Sequence, residues 1–222
     1  SGRPASREGV CSGCRAHMAA RAKPVIIVVP FTDWSEWVLD CVRHCAGLEF
    51  QDFALWLLPN EPPGPEWARR LDETGIGARI RVRPTGPGNP ARKRNVAMRE
   101  SGGDVFALID SDAYPRADWL SNALPLLNDN VAIVTGPNIS PPDDPVSRQA
   151  ASHVMESRLG FYAGYIRHVP RPRRFVDEMP TCNMIFTRQE GLFFHEDLDT
   201  SEDMVFCRET AARGKRIQYD PG

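Results

Sequence analysis

The 222 residues carry 27 Lys and Arg against 29 Asp and Glu, a formal net charge of −2, so no overall excess calls for nucleic acid or an acidic membrane as partner. The longest aliphatic run, at 25–29, is far too short to span a bilayer, and no N-terminal segment has the charged-then-apolar plan of a secretory signal. Six cysteines without framework spacing fit a reduced, cytoplasmic protein, and the length suits one α/β domain or two small ones with a sizeable core.

Residues 1–23 are polar, basic and aperiodic and read as a flexible arm. Within it Cys11, Cys14 and His17 could supply part of a zinc set. No second C-x-x-C follows at finger spacing, so an arm without metal is the simpler reading. Residues 24–30 (PVIIVVP) form a buried first strand, and Asp33 is placed to cap the next helix. There Trp34, Trp37, Val38, Cys41, Val42 and Cys45 recur at helical spacing on one apolar stripe, which makes both cysteines core residues and leaves His44 solvated. Residues 53–58 (FALWLL) are a second strand, followed by the loop 59–63 at the same sheet edge. A short helix over 65–74 and a strand over 79–82 come next. Asn89 and Pro90 read as the N-cap and first residue of a helix. Arg92, Lys93 and Arg94 then oppose its macrodipole, which suits an anion nearby or, equally, a solvated basic face.

The stretch at 104–112, DVFALIDSD, is an apolar run ending on two carboxylates. An unbroken run of that kind reads as a strand buried on both faces, and ligands of open α/β sheets bind at its carboxyl end. Asp110 and Asp112 are spaced to share a divalent cation through hard oxygen ligands; an Asp-rich turn is the plain alternative. Beyond them, 115–127 is an amphipathic helix, 131–135 a strand and 146–159 a helix. Residues 161–180, with Arg167, His168, Arg171, Arg173 and Arg174, read as a loop or lid. A strand at 181–186, a helix from Glu202 to a stop at Gly214, and a strand at 216–219 complete the chain. Strands alternating with helices give an α/β fold with a mostly parallel central sheet and helices on both faces.

Together these pieces resemble the family 2 glycosyltransferases of the GT-A (Rossmann-like) fold, over residues 24–222. The resemblance rests on the opening strand 24–33, on Arg94 and Asn95 in the helix from Pro90, and on the Asp-x-Asp segment 106–112 with Trp119 and Leu120. It extends to 181–183 with 186–188, and to the Glu-Asp motif at 201–206. Two departures stand out. The loop after the second strand is Pro59-Asn60-Glu61 where most members carry an Asp pair that touches the base, and the chain ends before a His that many members use to complete a metal shell. A fragment, or a variant with a weaker metal site, is expected on that account.

The resemblance implies metal-dependent transfer of a sugar, with inversion, from a nucleotide diphosphate sugar to an acceptor hydroxyl. It implies Mn²⁺ or Mg²⁺ at Asp110 and Asp112, and donor contacts from Pro30, Glu61, Arg94, Asn95 and Asp110, with Arg92 and Lys93 adding charge. Asp203 would be the general base, with Glu202 and Asn183 orienting the acceptor. The competing structural reading of Asp203 is a capping box over Thr200 to Asp203. The acceptor would be a saccharide or a lipid-linked molecule, with peripheral association at the inner membrane face left open by the basic loop. Rival readings are a haloacid-dehalogenase-like phosphatase, whose Asp-x-Asp normally lies near the N-terminus, a nucleotidyltransferase, which usually opens with a glycine-rich loop, and a non-catalytic nucleotide-sugar-binding module.

Overall fold

The computed structural model describes residues 23–141 and 144–221. Most of the N-terminal arm, with Cys11, Cys14 and His17, lies outside the described residues. In chain order the strands are β1 (Val25–Pro30), β2 (Phe53–Leu58), β3 (Ile80–Val82), β4 (Val105–Leu108), β5 (Val131–Thr135), β6 (Arg174–Val176), β7 (Met184–Thr187) and β8 (Arg216–Tyr219). The α-helices are α1 (Glu36–Ala46), α2 (Pro65–Asp72), α3 (Pro90–Glu100), α4 (Trp119–Ala123), α5 (Val146–Glu156), α6 (Arg158–Phe161) and α7 (Glu202–Ala212).

All strands among the described residues join one 8-stranded sheet in the order β3-β2-β1-β4-β7-β5-β8-β6. β1, β2, β3, β4, β5 and β8 run one way; β7 and β6 run the other. β1 is buried along its whole length because its alternate side chains enter separate cores. Val25, Ile27 and Val29 pack with α1 and α4, while Ile26 and Val28 pack with α3 and α7. In the second core the rings of Phe106, Phe186, Phe194 and Phe206 pack in sequence, with Phe194 and Phe206 stacked at 4.2 Å.

Most expected elements form, with five local differences. Ser35, not Asp33, caps α1, its hydroxyl accepting from the Val38 amide. The helix expected over 115–127 is reduced to α4 and a 3₁₀ turn at Leu124–Leu126, because Pro125 removes an amide donor and clashes with the preceding turn. Residues 161–180 are not simply a loop: Tyr162–Arg167 is a 3₁₀ helix, and β6 pairs antiparallel with β8 at the sheet edge. Thr181–Asn183 is a 3₁₀ turn that precedes β7, not part of the strand. The capping box at 200–203 does not form. Ser201, the helix N-cap, is left-handed at φ 66° and makes no side-chain cap bond, while Asp203 Oδ1 accepts from the Met204 amide at 2.8 Å. Left-handed backbone costs a non-glycine residue about 1–2 kcal/mol, so the start of α7 is held by contacts elsewhere.

Candidate functional site

The parallel strands end together at one edge of the sheet, and β1 and β4, adjacent there, lead in opposite directions to the rest of the sheet. Such a switch point opens a crevice. Asp110 and Asp112 leave β4 at this edge. Because β7 is antiparallel, its first residue and the turn Thr181–Asn183 reach the same edge. The N-terminus of α7 is brought there by Arg94.

Arg94 is only 3% exposed. Its Nη1 donates to Glu202 Oε1 at 2.7 Å, its Nη2 lies 3.5 Å from Asp110 Oδ1, and its guanidinium rests over the Phe194 ring. One buried cation therefore ties α3, the end of β4 and the first turn of α7. Asp110 is half-buried, and its carboxyl is raised above the ordinary 3.8 chiefly by loss of solvent. Arg94 opposes that rise, while Asp112 and Glu202 add to it. Asp112 is exposed and Asp203 half-buried.

Lys93 overturns the expectation of a solvated basic face. It is 3% exposed, and its ammonium donates to the carbonyls of Phe31 at 2.7 Å and Leu58 at 3.1 Å and to Asn60 Oδ1 at 2.7 Å. Its three hydrogens are thus used in tying together the ends of β1 and β2. Burial lowers its pKa below the usual lysine range. Among the three basic residues Arg92 alone is exposed.

Asn95, expected to touch the donor, is fully buried. Its Nδ2 donates to Phe194 O and Glu196 Oε1, and its Oδ1 accepts from the Phe194 amide. With every amide group engaged it braces residues 194–196 and has nothing to offer a ligand. Asn183, expected on the acceptor side, is half-buried and likewise engaged: Oδ1 accepts from Trp119 Nε1 at 2.9 Å, and Nδ2 donates to Pro137 O at 3.2 Å. Gly136 permits this packing, since a Cβ there would lie 2.9 Å from both Asn183 Nδ2 and Asp220 O. Glu202, also expected to orient the acceptor, is committed to Arg94. Pro30 is buried at the end of β1; Glu61 is exposed, with its carbonyl accepting from Trp34 Nε1.

The sequence reading did not single out Asn60 or Asn138. Asn138 donates to Cys182 Sγ, and burial, with the field of Asp110 adding, pushes that thiol up to about 12. It stays protonated. An isolated Asn in a loop carries no sequence signal for such a role.

Among the described residues no group of three or more His, Cys, Asp and Glu side chains could hold a metal. Asp110 and Asp112 instead fit a hard cation that takes one or two carboxylates and completes its shell with substrate phosphates and water.

The model of the Glycosyl transferase family 2 family matches residues 26–189. The pre-mycofactocin glycosyltransferase of Mycobacterium tuberculosis is 29% identical over 139 residues, 60% of this chain and 28% of the relative's own length. The chain thus spans under a third of that curated relative. The solved structure of Staphylococcus aureus TarS 1–349 superposes with a TM-score of 0.62 at 16% identity, covering 89% of this chain and 58% of that one. A mannosyltransferase from Pyrobaculum calidifontis, solved with GDP-Man and Mn²⁺, gives a TM-score of 0.65 at 19% identity, covering 90% and 55%. These likenesses establish the GT-A fold.

Proposed function

The chain belongs to glycosyl transferase family 2, and on that premise we propose that it transfers a sugar from a nucleotide diphosphate sugar to an acceptor hydroxyl with inversion. The observation that carries this reading is the Arg94 link between Asp110, at the carboxyl end of β4, and Glu202, beside Asp203 at the start of α7. It couples a place for a diphosphate to a carboxylate able to take a proton.

In this reading Asp110 and Asp112 hold the divalent cation, Mn²⁺ or Mg²⁺. That ion supplies positive charge against the diphosphate as it leaves. Asp203 takes the proton from the acceptor hydroxyl. One carboxylate oxygen is fixed by the Met204 amide, so the side chain is oriented before the acceptor arrives. The hydroxyl oxygen forms its bond to the anomeric carbon as the bond to the diphosphate oxygen breaks, and nucleoside diphosphate departs. One displacement inverts the anomeric centre. Arg94 and Glu202 act as positioning residues: Glu202 is held by the guanidinium, and Asp203 follows it in the same helical turn.

The loop at 59–61 is the proposed base contact, with Asn60 in place of the expected Glu61. An ammonium has no acceptor, so Lys93 fixes Oδ1 of Asn60 toward itself and leaves the amide NH₂ turned away from it. The base would therefore meet a hydrogen-bond donor there.

Incubation with UDP-, GDP-, dTDP- and CDP-sugars, Mn²⁺ and saccharide acceptors tests the proposal. One donor class is expected to release nucleoside diphosphate in step with sugar transfer, and Asp110→Asn with Asp112→Asn is expected to fall to background. Donor binding without turnover would favour the non-catalytic binding module, and release unaffected by the double substitution would exclude this site.

A further inference from the structure

α5 is inside out. Its half-buried residues are Gln149, Ser152 and Glu156, which share one side of the helix. Val146, Ala150, Ala151, Val154 and Met155 occupy the other side and are exposed. None of the residues of α5 is buried. Val146 is 82% exposed and Val154 57%, and Leu159, in α6, is 100% exposed. Gly160 lets the start of α6 pack close against the end of α5, since a Cβ at 160 would strike the Val154 carbonyl. Amphipathic helices of globular domains turn their apolar stripe to the core, so this face is built to be covered by something outside the described fold.

Charge indicates what covers it. Arg158 and Arg171 lie against the Tyr165 ring, and Arg174 against the Tyr219 ring. These three arginines make no ion pair among the described residues, whereas Arg148, Arg167 and Arg173 pair with Asp144, Glu178 and Asp220. The net charge of −2 therefore conceals a group of arginines without acidic partners among the described residues; of these, Arg158 adjoins Leu159 in α6 and shares the Tyr165 ring with Arg171. The segment that carries Arg167 and Arg171 is itself tied to the loop after β5 and to β8, because the Asn138 amide donates to Arg167 O and the Arg171 amide to the Tyr219 hydroxyl. Aliphatic side chains flanked by uncommitted arginines match an interface of acyl chains and anionic headgroups.

We propose that α5 and α6, with Arg158, Arg171 and Arg174, dock the protein on an anionic lipid surface. The docking does not depend on the transfer chemistry. Cosedimentation with phosphatidylcholine vesicles, with and without phosphatidylglycerol, tests it. Binding is expected only to vesicles containing phosphatidylglycerol. Val154→Glu with Leu159→Glu is expected to weaken it by about tenfold or more. Replacing the three arginines with Ala is expected to weaken it about a hundredfold and to flatten its salt dependence. Arg171 is half-buried, so thermal melts close to wild type are needed to show that the substitutions leave the fold intact. Equal binding to both vesicle types, binding to neither, or unchanged binding by both variants would overturn the proposal. So would a dimer in sedimentation equilibrium that Val154→Glu with Leu159→Glu dissolves, since a second copy would then cover the face.

Discussion

Asp203→Asn is expected to lower the rate of sugar transfer by about 10²–10⁴-fold, the range that a positioned general base contributes. Nucleoside diphosphate binding is expected to stay at the wild-type level, because the role proposed for the residue is toward the acceptor and not the donor. The substitution is mild for the fold: no capping box depends on Asp203, and the bond from the Met204 amide can be made to the Asn oxygen. Single-turnover kinetics with the donor prebound would separate the chemical step from binding. A rate within a few-fold of wild type would remove Asp203 from the chemistry. The proton would then have to go elsewhere.

Arg94→Met is expected to cost about 3 kcal/mol of stability, since it leaves Glu202 and Asp110 without their buried cation. For a chain of this size the melting temperature would fall by about 10 °C. Adding Glu202→Gln should recover part of the loss by removing one stranded charge. The variant also has a pH signature. Asp110 already has a raised pKa, so its ionised form costs stability as pH rises through that value, and the cost is absent below the unfolded value. Arg94 limits the rise. Cation binding needs the ionised form, so its acid limb should lie above the ordinary 3.8 in the wild type and move to higher pH in Arg94→Met. An unchanged melting temperature and acid limb would mean that the guanidinium carries none of this coupling.

Much of the sheet was legible because apolar runs bounded by Pro, Gly and Asp leave few alternatives. PVIIVVP, FALWLL and DVFALI became β1, β2 and β4, and Asn89-Pro90 opened α3 as its capping chemistry requires. β6 was not legible: Arg174, Phe175 and Val176 carry no strand pattern, and only pairing with β8 makes them one. The candidate site was legible in its residue types and less so in their duties. Lys93, Arg94 and Asn95 read as a polar helix start because nothing local reveals burial. Their partners lie far along the chain, at Phe31, Leu58, Phe194 and Glu202. The side-chain amide of Asn183 is engaged in the same way, by Trp119 and Pro137. In α5 the apolar stripe is written in the sequence, yet periodicity cannot say which side faces inward.

The most direct test of the central claim is calorimetric titration of UDP, GDP, dTDP and CDP, each with and without Mn²⁺, into the wild type and Asp112→Asn. A donor site at the end of β4 requires that one of these nucleotides bind with Mn²⁺, and that the binding be lost without the metal or with the substitution. Binding of none of them, or binding indifferent to both metal and Asp112, would contradict it.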